Sequence, residues 1–190
     1  MAEHDKQILY VTTAVQWRNW LKDHFRTETE VWLLYPKQST GKPRIQYNEA
    51  VEQALCFGWI DSTVQSNGPD HTMQRFTPRK AKSKYSQANI ERLKWLSEEK
   101  LIHASLRDDI EQVINQAFVY PPDILTAIKA DKLAWKNYQA FSDGYRRIRI
   151  AYIDSARKRP DEFKKRLANF IAKTRENKLI AGYGGIDKYY

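Results

Sequence analysis

Residues 47–89 read YNEAVEQALCFGWIDSTVQSNGPDHTMQRFTPRKAKSKYSQAN and contain the signals that decide the fold. Apolar residues recur at helical spacing over 49–57, and Gly58 is suited to end that helix in the left-handed conformation. Two strand-like runs follow, Trp59–Val64 and His71–Thr77, with the turn-forming residues 66–70 between them. The second strand is predicted to alternate through Met73 and Phe76. This order predicts an α+β fold, in which helices pack on a small antiparallel sheet.

The residues before this stretch extend the same pattern. Residues 1–9 are predicted to be a loose lead-in, and Thr13 is a candidate N-cap for a helix over about 14–25. The short apolar run Val31–Tyr35 is rich in strand formers and is predicted to be a central strand.

Helices predominate after the hairpin. Ser86 is predicted to cap a helix over about 87–99, and Pro160 is placed to open the last one. The composition changes near residue 120, so we predict an α+β domain over 1–120, a helical C-terminal segment over 121–180 and a flexible tail over 181–190.

Composition limits the classes of function. The 190 residues carry a formal net charge of +9, and this favours anionic partners such as nucleic acid or phosphorylated small molecules. The chain has no charged start followed by an apolar segment and no run long enough to cross a membrane. We therefore expect a cytoplasmic protein without a membrane span.

Metal and cofactor chemistry have little support. The four histidines have no metal-ligand spacing, and the single cysteine, Cys56, lies in an apolar run that predicts a small buried side chain. We predict no metal site and no cofactor. The oligomeric state is left open.

The best-supported candidate site binds an anion. Residues 75–84 contain five cations and Ser83, next to a predicted helix start whose N–H groups favour negative charge. A solvated basic loop is the alternative, with the nearby aromatic residues in the core. The predicted ligand-binding residues are Trp59, Asp61, Arg75, Arg79, Lys80, Lys82, Ser83, Tyr85, Ser86 and Asn89.

Two residues of this set could instead serve catalysis. Asp61 follows Trp59 on the same face of a strand, so it is a candidate general base. Alternatively, Asp61 pairs with Arg75 or Arg79, because an unpaired buried carboxylate is costly. Ser83 is either an activated nucleophile or, more commonly for such a residue, a phosphate ligand or a hydroxyl that only solvates the loop.

The C-terminal segment is strongly basic. Residues 145–178 contain twelve cations against four anions. Six of the cations are candidates for contacts with nucleic acid, although an amphipathic helix with a solvated basic face explains them equally well. They are Arg146, Arg147, Arg149, Arg157, Lys158 and Arg159.

Several motifs together resemble one protein family. They are Trp17-x-x-Trp20-Leu21, Glu49–Val51 running into Ala54–Ser62, Arg75–Lys80 with Ser83-x-Tyr85-Ser86-x-x-Asn89, Tyr145–Arg147, and Tyr152-Ile153 with Ala156–Pro160, Phe163 and Arg166. This combination is similar to the bacterial YdeI/OmpD-associated family, also called the bacteriocin-protection family. Tyr85 and Phe163 depart from it, since relatives often have tryptophan and threonine there.

The resemblance implies a CyaY/YjbR-like α+β fold and a role in bacterial stress or envelope resistance, and it supplies no catalytic residues. Our leading hypothesis is a non-enzymatic protein that binds nucleic acid or a phosphorylated or carboxylated small molecule through the Trp59–Asn89 surface. The second is an enzyme that uses Asp61 as acid/base and holds a small anionic substrate with Arg79 and Ser83. The third is an interaction protein whose basic C-terminal helices dock an acidic partner.

Overall fold

The computed structural model describes residues 6–80, 83–181 and 186–190. The chain forms two compact units, one from Met1–Lys84 with Leu96–Ile110 and the other from Tyr85–Trp95 with Glu111–Tyr190. The predicted α+β class is confirmed. The domain boundary near residue 120 stays a prediction.

The strands are β1 (Ile8–Leu9), β2 (Val31–Pro36), β3 (Trp59–Ser66) and β4 (His71–Pro78). The helices are α1 (Ala14–His24), α2 (Tyr47–Cys56), α3 (Gln87–Glu98), α4 (Arg107–Ile114), α5 (Pro122–Ala130), α6 (Lys132–Ala140), α7 (Asp143–Asp154) and α8 (Pro160–Arg175). Short 3₁₀ helices cover Gln38–Thr40, Ala104–Leu106 and Ile186–Tyr189.

The sheet of the first unit is mixed, which corrects the prediction of a purely antiparallel sheet. Its order is β1-β2-β4-β3, with β1 parallel to β2 and the other pairs antiparallel. The parallel strand lies in the segment predicted to be a loose lead-in. A strand of two residues is too short to show an alternation of apolar and polar side chains, so this strand is recognised only by its pairing with β2.

Strand β2 is central, as predicted, because it pairs with β1 on one side and with β4 on the other. Its register with β4 sets Val31 opposite Phe76 and Tyr35 opposite Thr72. Side chains alternate along a strand, so Phe76, Gln74 and Thr72 share one face and Met73 lies on the other. The predicted alternation through Met73 and Phe76 is therefore wrong.

An aromatic core joins the helices to this sheet. The Trp17 ring of α1 lies 5.4 Å from the Phe76 ring, and the Trp17 indole N–H donates to the Ala50 carbonyl of α2 at 3.0 Å. Trp59 is also fully buried, and its indole N–H donates to the Phe25 carbonyl. These bonds fix both helices on one face of the sheet.

The connection from α2 to β3 follows the prediction closely. Gly58 has a φ of +72°, the left-handed conformation that favours glycine at a helix end. Cys56 is fully buried, as predicted, and burial raises the pKa of its thiol to about 11.

The second unit has its own core. Its buried residues come from α5, α6, α7 and α8, and they include Ile124, Ile128, Tyr138, Tyr145, Ile150, Ile153 and Phe170. Side-chain caps start two of its helices: Ser86, the predicted cap of α3, accepts from the Asn89 N–H, and Ser142 accepts from the Tyr145 N–H of α7.

Ile186–Tyr189 form a 3₁₀ helix with Ile186 buried, within the range predicted as a flexible tail; residues 182–185 of that range lie outside the described residues. Across the described ranges, no helix combines the length and apolar character that a membrane crossing requires.

Candidate functional site

The first unit contains a small polar pocket of about 230 Å³ on the sheet face that carries Phe76. Strands β2, β3 and β4 and the segment that leads into α2 form its walls. It is lined by Tyr35, Arg44, Gln46, Tyr47, Val64, Thr72 and Gln74.

Two strand residues leave polar atoms unsatisfied beside this pocket. Tyr35 and Gln74 are 7% and 5% exposed. Within the described part of the chain, the Tyr35 hydroxyl and the Gln74 side-chain nitrogen are buried and have no hydrogen-bond partner. A buried donor without an acceptor costs about 1–3 kcal/mol, so such atoms usually mark a site that something else satisfies.

The Tyr35 hydroxyl can act as a hydrogen-bond donor in the pocket. Burial raises the pKa of its hydroxyl, and the nearby Tyr47 and Asp61 raise it further, while Arg44 opposes them. The hydroxyl therefore stays protonated at neutral pH and supplies an O–H group to any acceptor within reach.

Arg44 brings a positive charge to the pocket. One of its terminal nitrogens donates to the Pro36 carbonyl at 2.9 Å, which anchors the side chain at the end of β2. A guanidinium has five N–H donors, so this single bond leaves others for a ligand. Helix α2 also begins at Gln46 and Tyr47, and the positive end of its dipole adds to the field.

Asp61 lies beside this pocket, on the strand face opposite to Arg75. Its carboxylate accepts from the Tyr47 hydroxyl at 2.6 Å. Arg75 instead donates to Glu30 through Nε at 2.8 Å and through a terminal nitrogen. Asp61 is in register with Phe76, so Arg75, one residue earlier, points to the opposite face. The interpretation that Asp61 holds Arg75 in place is therefore wrong.

The other predicted residues of the first unit lie at the end of β4 and beyond. The Arg79 backbone N–H donates to the Gly58 carbonyl at 2.8 Å, and the Ser83 hydroxyl donates to the Lys80 carbonyl at 2.9 Å. Lys80 is exposed, and Lys82 lies outside the described residues. Trp59 is buried in the core, so its ring is covered by protein.

Tyr85, Ser86 and Asn89 belong to the second unit. Ser86 caps α3, and the Asn89 side-chain oxygen accepts from Arg92 at 2.8 Å. The predicted binding residues are thus divided between the two units, and their joint role as one site stays a prediction.

Four of the six cations predicted to contact nucleic acid have acceptors within the second unit. Arg146 pairs with Asp143, and Arg157 pairs with Asp123 and Asp154. Arg147 forms a two-pronged bond to Glu91, at 2.7 and 2.8 Å, and Arg149 donates to the Ile180 carbonyl and the Tyr190 hydroxyl. Lys158 and Arg159 are exposed.

Sequence reasoning missed the polar pocket because its residues are far apart along the chain. Tyr35 ends an apolar run and resembles a core residue, while Arg44 lies in a turn-rich segment. One signal was present: Gln74 stands two residues before Phe76, on the inward face of a strand where an apolar residue is expected.

No group of three or more histidine, cysteine, aspartate or glutamate side chains that could hold a metal occurs within residues 6–80, 83–181 and 186–190.

Fold and site define an α+β unit with a donor-rich pocket, followed in the chain by a helical unit. The family model described as "Domain of unknown function (DUF8412)" matches residues 9–108, more than half of the chain, and the chain belongs to this family. A second family model, described as "Bacteriocin-protection, YdeI or OmpD-Associated", matches residues 117–177.

The second match supports the predicted family resemblance in the C-terminal part of the chain. Membership in the CyaY/YjbR-like group stays a prediction. No curated protein and no solved structure matches the chain significantly.

Proposed function

We propose that this protein is a non-enzymatic binding protein for a small molecule that carries a carboxylate or a phosphate, and that the polar pocket of the first unit is its site. The observation that carries the proposal is the pair of buried, unpartnered polar groups on Tyr35 and Gln74 next to the guanidinium of Arg44. All three are donors, and a ligand that matches them presents acceptor oxygens.

Size restricts the ligand class. A pocket of about 230 Å³ lies below the range of about 300–1,000 Å³ that holds drug-sized ligands. It suits a short carboxylate, a dicarboxylate or inorganic phosphate. A role in bacteriocin protection, which the description of the C-terminal family model names, would follow from sensing or sequestering such a molecule.

Catalysis by Asp61 has less support than binding. The residues that line the pocket do not include Asp61, Arg79 or Ser83, so the groups proposed for the enzyme do not meet there. Asp61 instead acts through Tyr47, whose ring it positions at the pocket edge.

Calorimetric titration tests the proposal with inorganic phosphate, acetate and succinate, and with neutral acetamide as the comparison ligand. We expect saturable binding of at least one anion and none of acetamide. Arg44→Gln removes a charge-assisted bond and should weaken binding about tenfold or more.

Lys42→Gln is the matched control, because Lys42 is an exposed cation two residues away that does not line the pocket. It should leave the affinity within about twofold. Equal losses in the two variants would attribute binding to net charge, and the absence of saturable heat with every anion would reject the site.

A further inference from the structure

The second unit contains a larger pocket of about 620 Å³ that is different in character. Its floor is apolar and is formed by buried side chains of α7, α8 and the last residues of the chain. They are Ile148, Ile153, Phe170 and Ile186. The volume lies within the range of about 300–1,000 Å³ that is usual for small-molecule sites.

Cationic side chains also line this pocket. Lys165 and Arg166 of α8 line the pocket, as does Arg149 of α7. The Arg166 guanidinium is occupied, because it donates to Glu162 at 2.7 Å and to the Tyr152 carbonyl at 2.8 Å. Glu162 also lines the pocket, and its charge is balanced by this bond.

Arg149 differs from Arg166 in having an unsatisfied atom. It is only 6% exposed, and one terminal nitrogen donates to the Ile180 carbonyl at 2.5 Å and to the Tyr190 hydroxyl. Its buried Nε has no hydrogen-bond partner within the described part of the chain. A buried donor on a cationic group beside an apolar cavity favours an anionic acceptor.

Two further features agree with an anionic head group. The cap of α3, Ser86, and its first residue, Gln87, line the same pocket, where the positive end of the helix dipole lies. Lys165 is exposed at the pocket and forms no ion pair in the ranges that the structure describes.

We infer that this pocket binds a free single-chain carboxylate of the fatty-acid type, with the hydrocarbon chain over the isoleucine and phenylalanine floor and the carboxylate toward Arg149 and Lys165. This site is separate from the polar pocket of the first unit and does not depend on the function proposed there.

The test uses cis-parinaric acid, a carboxylate whose fluorescence rises in an apolar site, with displacement by unlabelled chains. Dodecanoate should displace the probe, and dodecanol should do so at least about tenfold less well, because it lacks the charge. From octanoate to dodecanoate, affinity should rise roughly fourfold for each added methylene.

Two variants and one control variant locate the binding. Lys165→Glu reverses a charge at the pocket and should weaken dodecanoate binding about tenfold, whereas the neighbouring exposed Lys164→Glu, which does not line the pocket, should leave it unchanged. Ala151→Phe fills the pocket and should abolish the fluorescence rise, with circular dichroism confirming that the helices are retained.

Three results would overturn the inference. They are equal effects of Lys165→Glu and Lys164→Glu, displacement by dodecanol as strong as by dodecanoate, or no saturable probe binding. Flotation with anionic phospholipid vesicles separates the two sources of acyl chains, and binding to vesicles without binding of dispersed dodecanoate would show a lipid-surface ligand instead.

Discussion

Tyr35 and Gln74 lie on neighbouring, paired strands, and each leaves one buried polar atom without a partner in the described part of the chain. Buried polar groups are nearly always satisfied in folded proteins. Two unpartnered polar atoms beside the same pocket and the same arginine are therefore stronger evidence for a binding site than one such atom would be.

The variant Tyr35→Phe shows whether the Tyr35 hydroxyl serves anion binding or the stability of the fold. Removing a buried hydroxyl that has no acceptor should leave the free energy of unfolding unchanged or raise it by up to about 1 kcal/mol, while weakening anion binding. Urea denaturation measures the first effect and calorimetric titration the second.

Tyr10→Phe is the control, because the Tyr10 hydroxyl donates to the Pro43 carbonyl at 2.5 Å. It should lower the free energy of unfolding by about 0.5–1 kcal/mol. A loss of more than about 1 kcal/mol in Tyr35→Phe would mean that this hydroxyl has a partner in the folded protein and would contradict its role as an unsatisfied donor.

Glu91 and Arg147 form the best-buried ion pair among the described residues of the second unit, with side chains 5% and 20% exposed. Burial pushes the pKa of Glu91 upward, but hydrogen bonds from Arg147 and Gln87 outweigh it and hold the pKa below its usual range. This carboxylate therefore stabilises the fold above about pH 4.5, and the stabilisation is lost as the pH falls through its lowered pKa.

Glu91→Gln should lower the free energy of unfolding by about 2–3 kcal/mol at pH 7, because it leaves Arg147 without its counter-charge. Between pH 5 and pH 3 the variant should lose less stability than the wild type, as measured by urea denaturation at each pH. Glu176→Gln, which removes an exposed pair with Lys178, is the control and should behave like the wild type. Parallel pH curves for Glu91→Gln and wild type would contradict the pairing.

At the scale of elements, the backbone conformation of the turn from α2 into β3 determines where the residues next to the polar pocket lie. Gly58 must adopt a positive φ to end α2 and start β3, and this places Trp59 inward and Asp61 two residues later on the same face. Tyr47, at the start of the same helix, then meets Asp61.

Gly58→Ala should destabilise the protein more than Gly68→Ala. Both positions have positive φ, at +72° and +76°, so both variants incur the left-handed strain of about 1–2 kcal/mol. A side chain at Gly58 would also lie 3.3 Å from Leu106, whereas Gly68 has nothing within 4 Å. Thermal unfolding of the two variants compares them, and a smaller loss for Gly58→Ala would contradict the close packing of Gly58 against Leu106.

Sequence patterns predicted those elements whose signals are local. The run at Val31, the turn at Gly68 and the cap at Ser86 each contain their own signal within a few residues. Strand β1 was missed because a strand of two residues is too short to show an alternation of apolar and polar side chains. Its parallel pairing also depends on a partner more than twenty residues away. The polar pocket was missed for the same reason, since Arg44 and Gln74 meet only through the tertiary fold.

For the whole molecule, the net charge of +9 is a weaker guide to function than it first appears. The structure pairs Arg146, Arg147 and Arg157 with carboxylates of the second unit, so much of the basic C-terminal segment stabilises its own helices. The charge that matters most for the proposed ligand is the single guanidinium of Arg44, beside donors that carry no charge.

The most direct test of this anion site is a ¹⁵N–¹H NMR titration with phosphate or succinate that follows the side-chain NH₂ signals of Gln74, assigned by their loss in Gln74→Leu. We predict a saturable shift of these signals together with the backbone signals of Gln46 and Tyr47. Gln74 signals that stay fixed while those of Lys158 and Arg159 shift would contradict the site and move anion binding to the basic helices.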